Sequence, residues 1–277
     1  MATRLLRRLA AGAASSYTTG IMRTDILDVY RFYASPLGAT AAGFVRDQLA
    51  AAWADHARAR IAGFGYAEPY LGAFPDAERI VALAPEAQGV AHWPQGEKNR
   101  AALVADHHWP LPDASVDRLL IVHGLEEASK PMRLMREAWR VLADDGRMVV
   151  VVGHRRGAWA MVETTPFAAG RPYLRGQLVR LLNEAMFEPS HFASALYFPP
   201  FGARFLLRSA SAWEAAGGRL WPWLGGVLMV EARKRIAQGA AVAPALSRLR
   251  PAVAPQRLGA VARGAGAPQA SDRASAA

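Results

Sequence analysis

Ala101-Ala102-Leu103-Val104-Ala105-Asp106-His107-His108-Trp109-Pro110-Leu111-Pro112-Asp113-Ala114-Ser115-Val116-Asp117-Arg118-Leu119-Leu120-Ile121-Val122 joins two short apolar runs through a polar, proline-bearing loop. Ala101–Val104 predicts one strand, and Leu119–Val122, opened by Asp117, predicts another. Downstream, residues 130–143 read as a helix ending at Asp144-Asp145-Gly146, with Gly146 suited to the left-handed position after a helix end. The most apolar run, Met148–Val152, follows at once. Upstream, Ile80–Leu83 predicts a further strand. Residues 40–58 predict a helix, with Phe44, Val45, Leu49 and Trp53 at helical spacing. A short run at 59–63 then meets Gly63-Phe64-Gly65-Tyr66-Ala67. Residues 173–187 predict another helix, the pattern then loses regularity, and Gly226–Ala232 supplies a final strand. Uninterrupted apolar runs separated by helices indicate a doubly wound α/β fold, with a mostly parallel sheet covered on both faces.

In such a sheet, ligands settle beyond the carboxyl ends of the strands. The turn from Gly63 to Ala67 is expected where the first strand ends, and its small residues let the backbone approach a ligand. The same glycines would equally serve a tight turn with no ligand. Asp106 either contacts a ligand or caps a turn, and His123 is either an active-site group or a satisfied histidine on a buried strand. Arg155 and Arg156 either bind an anion or are solvated loop charges. His107-His108 lacks metal-ligand spacing and a carboxylate cluster, so no metal is expected. Neither a nucleophile elbow nor a Gly-Lys-Ser/Thr phosphate loop occurs.

Taken together, Asp106, the Trp109–Asp117 loop, the strand after it and Arg140-Val141-Leu142-Ala143-Asp144-Asp145-Gly146-Arg147 resemble class I S-adenosylmethionine-dependent methyltransferases of the small-molecule type, similar to the methyltransferase type 11 group. The resemblance covers about residues 40–155, with weaker support to 235. It implies a seven-stranded Rossmann-like sheet, S-adenosylmethionine as cofactor and methyl transfer to a small or medium-sized acceptor. It places Gly63, Phe64 and Gly65 under the methionine part of the cofactor. Asp106 and His107 fall at the adenine edge, and His123 faces the sulfonium and the acceptor, with Glu127 behind it. Thr165-Pro166-Phe167 and Gly170-Arg171-Pro172-Tyr173 fall where the family places its substrate lid. Two departures stand out. Glu126-Glu127 replaces the usual Glu-His pair, and Ala84 holds the place of the acid that accepts both ribose hydroxyls. Loss of that acceptor costs about 1.5–3 kcal/mol per charged hydrogen bond. A catalytically silent binding or partner protein with an eroded cofactor site is therefore the rival expectation.

Composition sets the outer bounds. The 277 residues fit one α/β domain (23–237) between a flexible segment (1–22) and an Ala/Pro/Arg tail (238–277) expected to be disordered. The first segment reads as a weak targeting sequence or as residues preceding a start at Met22. The net charge is +10, but residues 1–22 hold three arginines and no acid, and 238–277 hold five arginines against one aspartate. Only +3 belongs to the body, which argues against a nucleic-acid groove. No cysteine is present, which excludes disulfides and suits the cytoplasm. No apolar run reaches the roughly 20 residues of a membrane span.

Overall fold

The computed structural model describes residues 23–236. The expectations for segments 1–22 and 238–277 lie outside the described residues. Among the described residues two helices come first, α1 (Ile26–Ala34) and α2 (Pro36–Ala52). Asp25 caps α1 by accepting the N–H of Leu27, and Ser35 caps α2 by accepting that of Gly38. Pro36 opens α2, where a missing N–H leaves nothing unpaired. There follow β1 (Arg60–Gly65), α3 (Glu68–Leu71), β2 (Arg79–Pro85), β3 (Ala101–Val104), β4 (Val116–Val122), α4 (Pro131–Val141) and β5 (Leu142–Gly153). The described residues finish with α5 (Arg175–Glu184), β6 (Phe187–Ala195), α6 (Arg204–Arg208), α7 (Ala210–Leu220) and β7 (Val227–Lys234).

All seven strands share one sheet in the order β3-β2-β1-β4-β5-β7-β6. The first five run parallel, and β7 inserts antiparallel between β5 and β6. Side chains alternate across the sheet. Leu120, Val122, Val149 and Val151 face a core shared with α1 and α2. Leu119, Ile121, Met148, Val150 and Val152 face a second core shared with α4 and α5. Full burial of each such side chain stabilises by about 1.5–3 kcal/mol, so the central strands β4 and β5 anchor the domain.

Three details differ from the sequence expectations. Gly146 lies inside β5 and is absent from the residues with positive φ. It is small because a Cβ there would come within 2.7 Å of Leu142 Cγ, so close approach rather than handedness fixes it. The irregular stretch after α5 contains β6 and the α6–α7 pair, and a helix precedes α2. The helices expected at 40–58 and 173–187 are Pro36–Ala52 and Arg175–Glu184.

Candidate active site

Strand order reverses between β1 and β4, so the crevice of a doubly wound sheet belongs beyond their carboxyl ends. The glycines of β1 divide in role. Gly63 is inside the strand, paired to Ala82 and Leu120, and a Cβ on it would meet Ala67 Cβ at 2.5 Å. Phe64 turns into the second core and stacks on Trp109, with ring centroids 4.9 Å apart. Both residues lie within the strand itself. Gly65 ends the strand at φ +88°, and a side chain on it would collide with the carbonyl of Val122. Only glycine fits there. The turn that reaches the crevice is therefore Gly65–Ala67.

The space beyond the strand ends is covered by residues 23–33. Arg23 is buried and donates from Nη2 to Asp106 Oδ2 at 2.8 Å and to the carbonyl of Gly124 at 3.2 Å. Thr24 donates its N–H and hydroxyl to the Glu127 carboxylate. Ile26 N–H donates to the carbonyl of Gln88, just past β2. The Tyr33 ring stacks on Tyr66 with centroids 5.3 Å apart. Its hydroxyl lies 2.7 Å from His123 Nε2 and 2.8 Å from the Tyr70 hydroxyl. This arm thus engages the loops after β1, β2, β3 and β4. On its outer side, a cavity of about 520 Å³ separates α1 from residues 163–169 of the expected lid.

His123 follows β4 with φ +51° and is buried under Tyr33 and Phe167. Burial lowers its pKa to about 3, so the ring is neutral. One ring nitrogen meets Tyr33, and Nδ1 has no partner. Glu126 donates nothing: its Oε1 accepts the Gly153 N–H, its Oε2 is buried and unpaired, and burial raises its pKa to about 7. Glu68, at the start of α3, has the same profile, with Oε2 unpaired and its pKa raised by burial to about 7. Gln88 is buried with neither amide atom partnered. Arg23 keeps Nη1 unpaired. An orphaned buried polar group costs about 1–3 kcal/mol. Six such atoms on five residues at one edge of the sheet form a donor and acceptor set suited to a polar ligand with hydroxyl, amine and carboxylate groups.

The other expected residues fall as follows. Asp106 is half-buried just past β3 and serves Arg23. His107 is exposed. Ala84 lies in β2, fully buried and paired to Leu103. The loop that carried the family resemblance is scaffolding. Arg140 on α4 donates to Glu137, Asp113 and the carbonyls of Trp109 and Leu111, which pins that loop to the helix. Asp117 holds the start of β4 to β1 by accepting the backbone N–H and guanidinium of Arg60. Sequence reasoning missed Arg23, Tyr33, Glu68 and Gln88. Ile26, Val29, Phe32 and Tyr33 recur at helical spacing and could have revealed the arm. Nothing in the order of residues shows a buried atom without a partner.

Residues 62–150 match the model of the methyltransferase domain family. This segment, about a third of the chain, is similar to that family. The domain's sheet is matched in solved structures, which at these identities speak for the fold alone. One is an S-adenosylmethionine-dependent methyltransferase of Thermotoga maritima described as a possible histamine N-methyltransferase. It has a TM-score of 0.54 at 16% identity, over 76% of this chain and 96% of that one. Another is an S-adenosylmethionine-dependent methyltransferase of Archaeoglobus fulgidus, with a TM-score of 0.50 at 12% identity, over 75% and 98%. The uncharacterized protein YafS of Escherichia coli (strain K12) is 35% identical over 141 residues, 46% of this chain and 52% of YafS. The chain thus spans about half the length of that curated relative.

Proposed function

We propose that this chain binds S-adenosylmethionine along the carboxyl edge of its sheet and directs its methyl group to a small or medium-sized acceptor. The observation that carries this is the set of five unpaired buried polar atoms on Glu68, Gln88, His123 and Glu126, beneath the arm. Gly65–Ala67 would pass under the methionine part, Gln88 is the nearest buried polar side chain after the missing ribose acid, and Asp106 would take the adenine edge. When bound, the cofactor supplies an already activated methyl group, so the chain's task is alignment and exclusion of water. Phe167 and Tyr33 provide apolar walls against His123. The neutral His123 ring holds a proton on one nitrogen only, and Glu126, with a pKa near 7, is the better placed group to accept one at neutral pH. Both need Tyr33 and the arm to withdraw before an acceptor reaches them. Most of the excess charge lies outside the body, which favours a small-molecule acceptor over nucleic acid, and the cysteine-free sequence suits work in the cytoplasm. Isothermal calorimetry with S-adenosylmethionine and S-adenosylhomocysteine tests this; micromolar binding is expected. No heat and no thermal shift at millimolar ligand would remove the enzyme reading.

A silent methyltransferase-fold protein is the second reading, favoured by Ala84 and by the arm seated over the crevice. Ala84→Asp separates the two. Under the first reading it supplies the ribose acceptor and tightens cofactor binding by about 1 kcal/mol, since burial of the new charge offsets part of the gain. Under the second it only lowers the unfolding midpoint.

A further inference from the structure

Residues 196–226, between β6 and β7, present an unusual surface. Trp223 is 59% exposed, Trp221 46% and Trp213 43%, and Phe201, Phe205, Leu220 and Leu224 are exposed as well. Scattered apolar residues on a surface are ordinary, but this many large ones within one segment mark a contact face. Trp213, Trp221, Leu224 and Met161 line one cavity of about 330 Å³ together with Arg156. Arg156 also lines a second cavity of about 640 Å³, with Arg175, Arg180, His154 and Trp223. The two cavities meet at Arg156, so that the tryptophans and the arginines lie side by side on one surface.

The charge of this surface is one-sided. Neither cavity is lined by an acidic residue. Arg156, Arg175 and Arg180 are exposed and make no salt bridge among the described residues. The Arg175 guanidinium rests 4.0 Å over the Phe192 ring, which leaves its donors free for an anion. Between residues 196 and 226 the sole acid is Glu214, and its carboxylate is turned inward to accept the N–H groups of Leu196, Tyr197 and Phe198. Arg204, Arg208 and Arg219 add three more exposed cations.

We propose that this face docks on the surface of an anionic lipid bilayer. Tryptophan rings favour the headgroup level, arginines pair with lipid phosphates, and an apolar and basic surface combines both attractions. Charge complementarity excludes the nearer alternatives: a second copy would set arginines against arginines, and the 238–277 segment carries five arginines against one aspartate. Among the described residues no helix is long and apolar enough to cross a membrane, so the contact is peripheral. The face surrounds His154, directly after β5, and so lies at the same carboxyl edge as the crevice.

Flotation of the full chain with vesicles of phosphatidylcholine, alone or mixed with phosphatidylglycerol, tests the proposal and needs no cofactor. Binding is expected on the mixed vesicles only, weakening with salt, and W221S/W223S should reduce it about tenfold. The second variant, R156E/R175E/R180E, should reduce it at least as far, and it stands in should the tryptophan variant fold poorly. Quenching of tryptophan fluorescence by brominated lipid should accompany binding of the parent chain. Binding that survives both variants would assign the attraction to arginines elsewhere and overturn the proposal. So would absence of binding, or a dimer in sedimentation that W221S/W223S dissolves.

Discussion

At the amino edge of the sheet, Arg60 Nη2 meets Asp117 Oδ1 at 2.7 Å, Arg118 reaches Asp55 at 3.1 Å, and Arg147 lies 3.6 Å from Glu231. At the carboxyl edge, Glu68, Gln88, His123 and Glu126 each keep at least one buried polar atom without a partner. The same strands connect the two edges, so the contrast is local and chemical. Charged groups at the amino edge mostly answer one another and fix strand starts, although Arg118 Nε and Glu231 Oε1 are themselves without a hydrogen bond. Those at the carboxyl edge are held in place by burial and left unanswered, at a cost the folded state carries.

Three experiments test that contrast. The largest effect is expected at the paired edge. Asp117→Ala strands the Arg60 N–H and guanidinium, and should lower unfolding free energy by about 2 kcal/mol while leaving cofactor affinity unchanged. Denaturant titration and calorimetry read the two quantities, and a parallel loss of affinity would mean that the edges are not separate.

The second concerns Glu126 and its pH dependence. Its pKa is raised to about 7 by burial, so between roughly 4.5 and 7 the folded state binds a proton that the unfolded state has released. That contribution to stability is present at low pH and is lost as pH rises through about 7. Glu126→Gln keeps an acceptor for the Gly153 N–H and removes the titration. The variant should gain about 1–3 kcal/mol on the parent between pH 5 and pH 8. A constant difference across that range would show that Glu126 is solvated.

The smallest effect is on the arm. Tyr33→Phe removes the hydroxyl shared by His123 and Tyr70 and so favours the withdrawn arm. Binding of S-adenosylhomocysteine should tighten about two- to threefold, because a larger fraction of molecules is competent. Weaker binding would make Tyr33 part of the ligand site instead of its cover.

How much of this was legible in the sequence follows from what each signal is made of. The central strands and α4 were plain because Leu119–Val122 and Met148–Val152 must be buried on both faces, and burial writes itself as unbroken apolar runs. The loop Trp109–Asp113 was recognisable because Arg140 and Glu137 constrain it tightly, so its residues are those of a scaffold, not of catalysis. The different settings of Gly63 and Gly65 were not legible, because a glycine needed for tight packing and one needed for positive φ look alike in a sequence. β6 was missed because Glu188, Pro189, Ser190 and His191 sit on an edge strand with little apolar content. The pairing of Arg23 with Asp106 spans 83 residues, and no local pattern could announce it.

The position of β7 has a consequence for synthesis. It is the last of the described strands but lies between β5 and β6 in the sheet. Until Val227–Lys234 leave the ribosome, the outer edge of β5 stays open and β6 has no strand to pair with. A nascent chain that has already buried β1 to β5 therefore carries an exposed, strongly apolar edge, Met148–Val152, which is a template for unwanted pairing. Closure comes as a single late event, when β7 joins both neighbours, so the final strand acts as the step that commits the chain to its native sheet.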